Sequence, residues 1–152
     1  MIEAWRLVKI RYAAAAFDGE GARLYGGRFN SVGTPVVYTS GTLALAELEI
    51  LVNLPTPKLL ETYVAFRLAF DESLVESLPL QALPGNWRTD PTPQAVKNVG
   101  DHWARAMRSL VLKVPSAVVP AESNFLINPN HPDFTRLIIA GPVDPLIDPR
   151  LM

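Results

Sequence analysis

One segment limits the possible folds more than any other, because it is apolar on nearly every side and yet carries two carboxylates. Residues 42–54 (TLALAELEILVNL) predict a helix that begins with Thr42 as its N-cap and ends before Pro55. Glu47 and Glu49 are two positions apart, about 200° around the helix axis, and therefore point to nearly opposite sides. At least one of these carboxylates is expected to be largely buried.

A buried carboxylate needs partners, because its burial costs several kcal/mol unless it is hydrogen-bonded, paired or neutralised. Polar donors or an arginine are therefore expected near Glu49, and Arg28 in the glycine-rich loop upstream is the candidate arginine. One interpretation is a structural Glu–Arg pair that ties this loop to the helix. The other interpretation is a functional site. Glu47 is expected at the rim of the helix surface.

Other positions suit either a structural role or a site. The Gly26-Gly27 pair would let the backbone approach a ligand closely, although such a pair is more often only a turn. Tyr38, near the end of a predicted strand, suits the core as well as a platform for a substrate. Ser116 stands between two proline-bounded apolar runs. The polar, proline-rich residues 122–134 are expected to form surface turns or the wall of a site.

The order of predicted elements indicates an α+β fold, because strands and helices mix without regular alternation. The 152 residues show no repeat, low-complexity tract or linker, which predicts a single domain over residues 1–152. Strands are predicted at residues 4–10, 35–40, 61–70, 110–114 and 134–141, and helices at residues 42–54 and 92–109. Loops are predicted at residues 12–31 and 79–93.

Charge and composition exclude several classes of function. The chain has 14 basic and 15 acidic side chains in no evident cluster, so direct binding to nucleic acid is not expected. It has no cysteine, which excludes disulfides and thiol catalysis and fits a cytoplasmic location. Its two histidines, His102 and His131, have no metal-ligand spacing, so no metal is expected. No stretch reads as a membrane span.

Three blocks of the sequence resemble the RES domain family, which is named for an arginine, a glutamate and a serine. The blocks are GGRFNSVGTPVVYTS, LALAELEILVNL and GDHWARAMRSLVLKVPSAVVPAESNFLINPNHPDF, and they follow one another in the family's order over nearly the whole chain. The resemblance implies a mixed β core like that of diphtheria-type ADP-ribosyltransferases. It also implies a toxin of a bacterial type II toxin–antitoxin pair, whose partner is an antitoxin with an Xre-type helix-turn-helix domain.

The resemblance further implies that NAD⁺ is the substrate and that no metal is required. In the family, the nicotinamide–ribose bond is broken by hydrolysis or phosphorolysis, and some members transfer ADP-ribose to a protein. Two alternatives to NAD⁺ breakdown therefore stay open for this chain. One is a protein ADP-ribosyltransferase, and the other is a non-catalytic binding module that keeps the fold.

By motif, the resemblance places the family arginine at Arg28, the glutamate at Glu49 and the serine at Ser116, with Ser123 as the rival serine. Glu49 is expected to stabilise positive charge on the ribose. Arg28 is expected to bind the pyrophosphate. The chain departs from the family at Phe29, where tryptophan is common, and at Asn53, where histidine is common.

The resemblance adds three positions around this group. Tyr38 matches the tyrosine of the Y-T-S block and is expected to stack on the nicotinamide or ribose. Asn124 and Ser116 are expected to hold the ribose or the amide through hydrogen bonds. Arg6 matches a frequent arginine near the start of the family and is expected among the NAD⁺-binding residues.

Overall fold

The fold is built on one sheet, to which segments from both ends of the chain contribute. The computed structural model describes all 152 residues. The seven strands are β1 (Ile2–Lys9), β2 (Val37–Ser40), β3 (Tyr63–Phe70), β4 (Val75–Ser77), β5 (Val111–Pro115), β6 (Ser123–Ile127) and β7 (Ile138–Val143). The helices are α1 (Glu20–Tyr25), α2 (Leu43–Leu51) and α3 (Gln94–Ala106). Short 3₁₀ helices span Ile10–Ala15, Pro57–Thr62, Glu72–Leu74, Leu80–Ala82, Pro132–Arg136 and Pro149–Leu151.

The strand order across the sheet is β4-β5-β6-β2-β1-β3-β7. Only β4 and β5 run parallel to each other, so the sheet is mixed. Together with the few helices, this arrangement confirms the α+β class. None of the helices is both long enough and apolar enough to cross a membrane.

The two faces of the sheet carry separate apolar layers. On one face, Leu112 and Leu126 pack against Val96 and Trp103 of α3. Farther along that face, α2 covers Leu7 of β1. On the opposite face lies a second cluster, whose buried members are Ala4, Val37, Leu68, Phe70, Leu74, Leu110, Val111, Phe125 and Ile127. Side chains alternate along each strand, so the face of every strand residue follows from these contacts.

Helix α2 begins where the sequence predicts it. The Thr42 Oγ1 accepts a hydrogen bond from the Leu45 N–H at 3.1 Å, which confirms Thr42 as the N-cap. The helix ends at Leu51, a few residues before Pro55. Leu45 and Ala46 are its buried residues, and α2 packs on β1 and β2. This packing places the C-terminal half of α2, which carries Glu47 and Glu49, beside the end of β2.

Several sequence predictions were wrong in detail. Residues 12–31, predicted as a loop, include α1, and the strand predicted at residues 134–141 begins only at Ile138. The polar segment 122–134 contains β6, a central strand between β2 and β5. Its apolar residues Phe125, Leu126 and Ile127 are all buried, because both faces of a central strand are covered. A run of only three apolar residues among asparagines and prolines gives no alternation from which a strand could be predicted.

Candidate active site

The Glu49 carboxylate is held by side chains from two distant parts of the chain. Its Oε1 accepts hydrogen bonds from Ser116 Oγ at 2.6 Å and from Asn124 Nδ2 at 2.8 Å. Its Oε2 makes no hydrogen bond within the chain. No buried side-chain polar atom lacks a partner, so Oε2 is in contact with solvent. The carboxylate is therefore fixed by one oxygen and presents the other.

The two glutamates of α2 do not meet the expectation that at least one is largely buried. Glu49 and Glu47 are both partly exposed, at the surface of the helix. Glu47 makes no ion pair, and partial burial raises the pKa of its carboxyl. The two groups nevertheless differ, because only Glu49 has hydrogen-bond donors fixed against its carboxylate.

Ser116 is completely buried, and its hydroxyl has no free position. Its Oγ accepts hydrogen bonds from the backbone N–H groups of Val118 at 3.1 Å and Val119 at 3.0 Å. A serine hydroxyl has two acceptor positions and one proton, so the proton is left for Glu49. The expectation that Ser116 holds the ribose or amide directly is corrected here, because an enclosed hydroxyl cannot reach a ligand. Ser116 is instead a positioning residue for Glu49, and its rival Ser123 makes no hydrogen bond to that carboxylate.

Asn124 joins Glu49 to the end of β2. Its Nδ2 donates to Glu49, while its Oδ1 accepts a hydrogen bond from Ser40 Oγ at 2.8 Å. Ser40 and Asn124 are directly opposite each other in the register of β2 and β6. Sequence reasoning missed Ser40, although its place at the end of the predicted strand in the Y-T-S block was a usable signal.

Arg28 does not pair with Glu49, so the predicted Glu–Arg pair was wrong. Its Nη1 donates to the backbone carbonyls of Trp87 at 2.9 Å and Thr89 at 3.2 Å. Its Nε and Nη2 make no hydrogen bond within the chain and, like Glu49 Oε2, contact solvent. Polar donors, the other partners that were expected, hold the glutamate instead.

Residues 87–89, whose carbonyls bind Arg28, also contact the segment that holds Glu49. Arg88, between the two carbonyl groups that Arg28 binds, donates from Nε to the Ala117 carbonyl at 2.9 Å. Ala117 directly follows Ser116, which holds Glu49. Hydrogen bonds and short stretches of backbone therefore link the Arg28 side chain to Ser116, one of the two residues that hold Glu49.

Tyr38 contacts the loop on both sides of Arg28. The Tyr38 hydroxyl accepts from the Phe29 N–H at 3.1 Å and donates to Asn30 Oδ1 at 2.6 Å. A Cβ at Gly27 would lie 2.7 Å from this hydroxyl, and Gly26 has a φ of 73°, so both positions require glycine. Burial raises the pKa of Tyr38, and its ring packs against the α3 side of the core. Tyr38 is therefore a partly buried residue at the edge of the core that fixes the glycine-rich loop, and its role as a platform for a substrate stays a prediction.

Helix α3 holds the other side of the same loop. A Cβ at Gly100 would lie 1.6 Å from the Phe29 carbonyl oxygen, so the loop backbone rests directly on the helix. The buried Asp101 accepts from the Ser31 N–H at 2.9 Å. Burial acts to raise the pKa of Asp101, but hydrogen bonds from Ser31 and Thr34 outweigh it, so the pKa is lowered. Sequence reasoning missed these two helix residues.

Arg6 lies apart from this group. It alternates with Trp5 and Leu7, which face α2, and so points to the opposite face of the sheet. Its Nε donates to the Ala16 carbonyl at 2.6 Å and its Nη1 to the Tyr38 carbonyl at 2.9 Å. Burial lowers the pKa of Arg6 to about 10. Arg6 therefore links two backbone segments through its hydrogen bonds, and the structure does not bring it to Glu49.

The fold and these contacts define a small α+β protein with a carboxylate fixed through one oxygen and an arginine fixed through one of its three nitrogens. A model of the RES domain matches residues 3–148. The chain therefore belongs to the RES domain family, as its sequence motifs predict. No group of three or more His, Cys, Asp or Glu side chains is arranged to hold a metal ion.

Curated relatives of the chain are named as toxins. It is 38% identical over 148 residues to "Toxin Res" of Yersinia enterocolitica, which covers 97% of each chain. It is 35% identical over 145 residues to "Prs ADP-ribosylating toxin" of a Sphingobium species, covering 93% of this chain and 89% of the relative.

A solved structure has the same fold. It is the crystal structure of the M. tuberculosis MbcT-MbcA toxin-antitoxin complex, with a TM-score of 0.75 and 19% identity. The superposition covers 95% of this chain and 85% of the matched chain.

Proposed function

We propose that this protein is a toxin that breaks the nicotinamide–ribose bond of NAD⁺, by hydrolysis or phosphorolysis. One observation carries the proposal: Glu49 is fixed through Oε1 while Oε2 is left exposed to solvent. This geometry suits a carboxylate that must face a substrate in one orientation. The toxin names of the relatives support the same class of function.

Departure of nicotinamide leaves positive charge on the ribose in an oxocarbenium-like transition state. The Glu49 carboxylate stabilises such charge electrostatically when it is already oriented, because no reorganisation is then needed during the reaction. Nicotinamide leaves as a neutral base, so the step needs no strong general acid. The acceptor, water or phosphate, attacks the ribose carbon and releases the corresponding proton to solvent.

Arg28 supplies the phosphate-binding element of the proposed site. Its Nη1 is fixed by the Trp87 and Thr89 carbonyls, which leaves Nε and Nη2 for ligand oxygens. A planar guanidinium presents such donors in a geometry that matches phosphate oxygens. Ser116 acts on Glu49 rather than on the substrate, and the proposed site does not include Arg6. Asn124 holds Glu49 through one amide N–H, and its second N–H is available for the ribose or the amide of the substrate.

A second candidate function is transfer of ADP-ribose to a protein. The relative named "Prs ADP-ribosylating toxin" favours it, because identity of 35% extends over nearly the whole chain. The same carboxylate serves both reactions, since both begin with cleavage of the nicotinamide–ribose bond. A non-catalytic binding module is the remaining alternative, and it would bind NAD⁺ without releasing nicotinamide.

We also propose that the chain is paired with an antitoxin that has an Xre-type helix-turn-helix domain and covers the NAD⁺ site in the cytoplasm. The likeness to the toxin of a toxin-antitoxin complex supports a partner of this kind. The near balance of acidic and basic side chains leaves operator binding to the partner.

The decisive experiment incubates the purified chain with NAD⁺, with and without inorganic phosphate, and measures free nicotinamide. Glu49→Gln is the matched control, because glutamine keeps an acceptor for both donors but removes the charge. Radiolabelled NAD⁺ added to a cell lysate separates transfer to protein from release of small products. Nicotinamide release equal to the buffer blank, with no label on protein, would contradict the proposal.

A further inference from the structure

Ser40, the last residue of β2, lies where three strands and the start of α2 meet. It is opposite Trp5 of β1 and Asn124 of β6, and its pairing with Trp5 is the single register pair between β1 and β2. Two residues later, Thr42 caps α2. The Ser40 side chain is buried, so it acts on its neighbours and not on a ligand.

We propose that Ser40 is a positioning residue that orients Glu49 through the Asn124 amide. This inference rests on the proposed function only in taking Glu49 as the carboxylate that faces the substrate. Ser40 Oγ donates to Asn124 Oδ1 at 2.8 Å, and Asn124 Nδ2 donates to Glu49 Oε1 at 2.8 Å. The three side chains therefore form one directed series of hydrogen bonds, from β2 through β6 to α2.

The chemistry of an amide makes this series directional. One end of the amide group only accepts hydrogen bonds and the other end only donates. An ionised Glu49 also only accepts, so an amide turned by 180° would place two oxygens against each other with no proton between them. Ser40 supplies the proton that Oδ1 needs in the productive orientation. Bonds in such a series also strengthen one another.

Without the Ser40 hydroxyl, Oδ1 loses its partner and the amide is held by Glu49 alone. The amide can then rotate toward water, and Glu49 keeps only the hydrogen bond from Ser116. The expected effect is on the reaction step rather than on substrate binding, because the orientation of Oε2 matters most when charge develops on the ribose.

The neighbouring Thr39 offers a matched control. Its Oγ1 donates to the Phe125 carbonyl at 2.8 Å, so it also ties β2 to β6 through a buried hydroxyl. It points to the opposite face of the sheet, away from Glu49. Thr39→Val therefore removes a comparable hydrogen bond from the same strand pair without touching the series.

The test measures nicotinamide release for Ser40→Ala, Asn124→Ala and the double variant. Ser40→Ala is expected to lower kcat about fivefold to thirtyfold with KM changed less than about threefold. It is expected to have little further effect once Asn124 is alanine. Ser40→Thr, which keeps a hydroxyl, is expected to restore kcat, and Thr39→Val to leave it near the wild-type value. Ser40→Cys, whose thiol is a weak donor, replaces Ser40→Ala if that variant does not fold.

Urea unfolding of the same variants gives a readout that does not need catalysis. The unfolding midpoint of the double variant is expected close to that of Asn124→Ala alone. Independent, additive effects of Ser40→Ala and Asn124→Ala on kcat or on the midpoint would overturn the inference, as would an unchanged kcat. If the wild-type chain releases no nicotinamide, the proposed function fails, and the unfolding midpoints still decide whether Ser40 acts through Asn124.

Discussion

Replacing Ser116 by alanine removes one oxygen that makes three hydrogen bonds. It donates to Glu49 Oε1, and it accepts from the backbone N–H groups of Val118 and Val119. A hydrogen bond to a charged group contributes about 1.5–3 kcal/mol, and a buried donor left without a partner costs about 1–3 kcal/mol. Val118 and Val119 are only partly buried. Water can therefore bind their N–H groups in the variant, which offsets part of the cost of leaving these two donors without Ser116. We therefore expect the free energy of unfolding to fall by about 2–4 kcal/mol.

The same substitution is expected to slow nicotinamide release between several-fold and a hundredfold, or about 1–3 kcal/mol of barrier. Urea denaturation gives the first quantity, and initial rates on the folded variant give the second. Ser123→Ala is the control, because the Ser123 hydroxyl makes no hydrogen bond within the chain. We expect it to change stability by less than about 0.5 kcal/mol and to leave the rate nearly unchanged. If Ser123→Ala is the more damaged enzyme, the positioning role of Ser116 is refuted.

Three further predictions follow from the site and the loop beside it. Gly100→Ala is expected to lower the stability of the chain in thermal melts by about 1–3 kcal/mol or more, because the added Cβ pushes the loop away from α3. Gly21→Ala is the control, since no atom lies near that position on α1, and it is expected to be neutral or slightly stabilising. The pKa of Asp101 is lowered on folding, so its stabilising contribution is present above the unfolded pKa of about 4 and lost as pH falls through the folded pKa. The stability difference between wild type and Asp101→Asn should therefore shrink in acid, and an increase there would contradict the assignment. Gel shifts with the isolated chain should show no sequence-specific DNA band.

The sequence allowed the elements with strong local signals to be predicted. Helix α2 followed from an N-cap, an apolar run and a proline, and β3 from alternation of apolar residues. Strand β6 could not be predicted, because its burial depends on lying between β2 and β5, which only the assembled sheet creates. The same limit applied to α1, which is too short for a periodic pattern.

For the candidate site, the sequence predicted which residues belong to it but not how they contact one another. The family resemblance gave positions for the arginine, the glutamate and the serine, but it could not show which atoms meet. The partners of Glu49 are 67 and 75 residues away in the chain, and those of Arg28 are 59 and 61 residues away. No spacing rule extends over such distances. Pairing Arg28 with Glu49 was reasonable from charge alone, and it was wrong because backbone carbonyls of Trp87 and Thr89 hold Arg28 while Ser116 and Asn124 hold Glu49.

The absence of that ion pair helps to decide between a structural and a functional role for the two charged groups. A structural pair would satisfy Glu49 and Arg28 with each other and leave neither group available. Instead, each is fixed through one atom by neutral or backbone partners, and each keeps other polar atoms in contact with solvent. Two charged groups that are held in place without neutralising each other lower the stability of the fold. The packing of the chain does not need such groups, whereas a binding site does. This arrangement favours a site that receives a ligand with negative phosphates and a developing positive charge, as NAD⁺ cleavage requires.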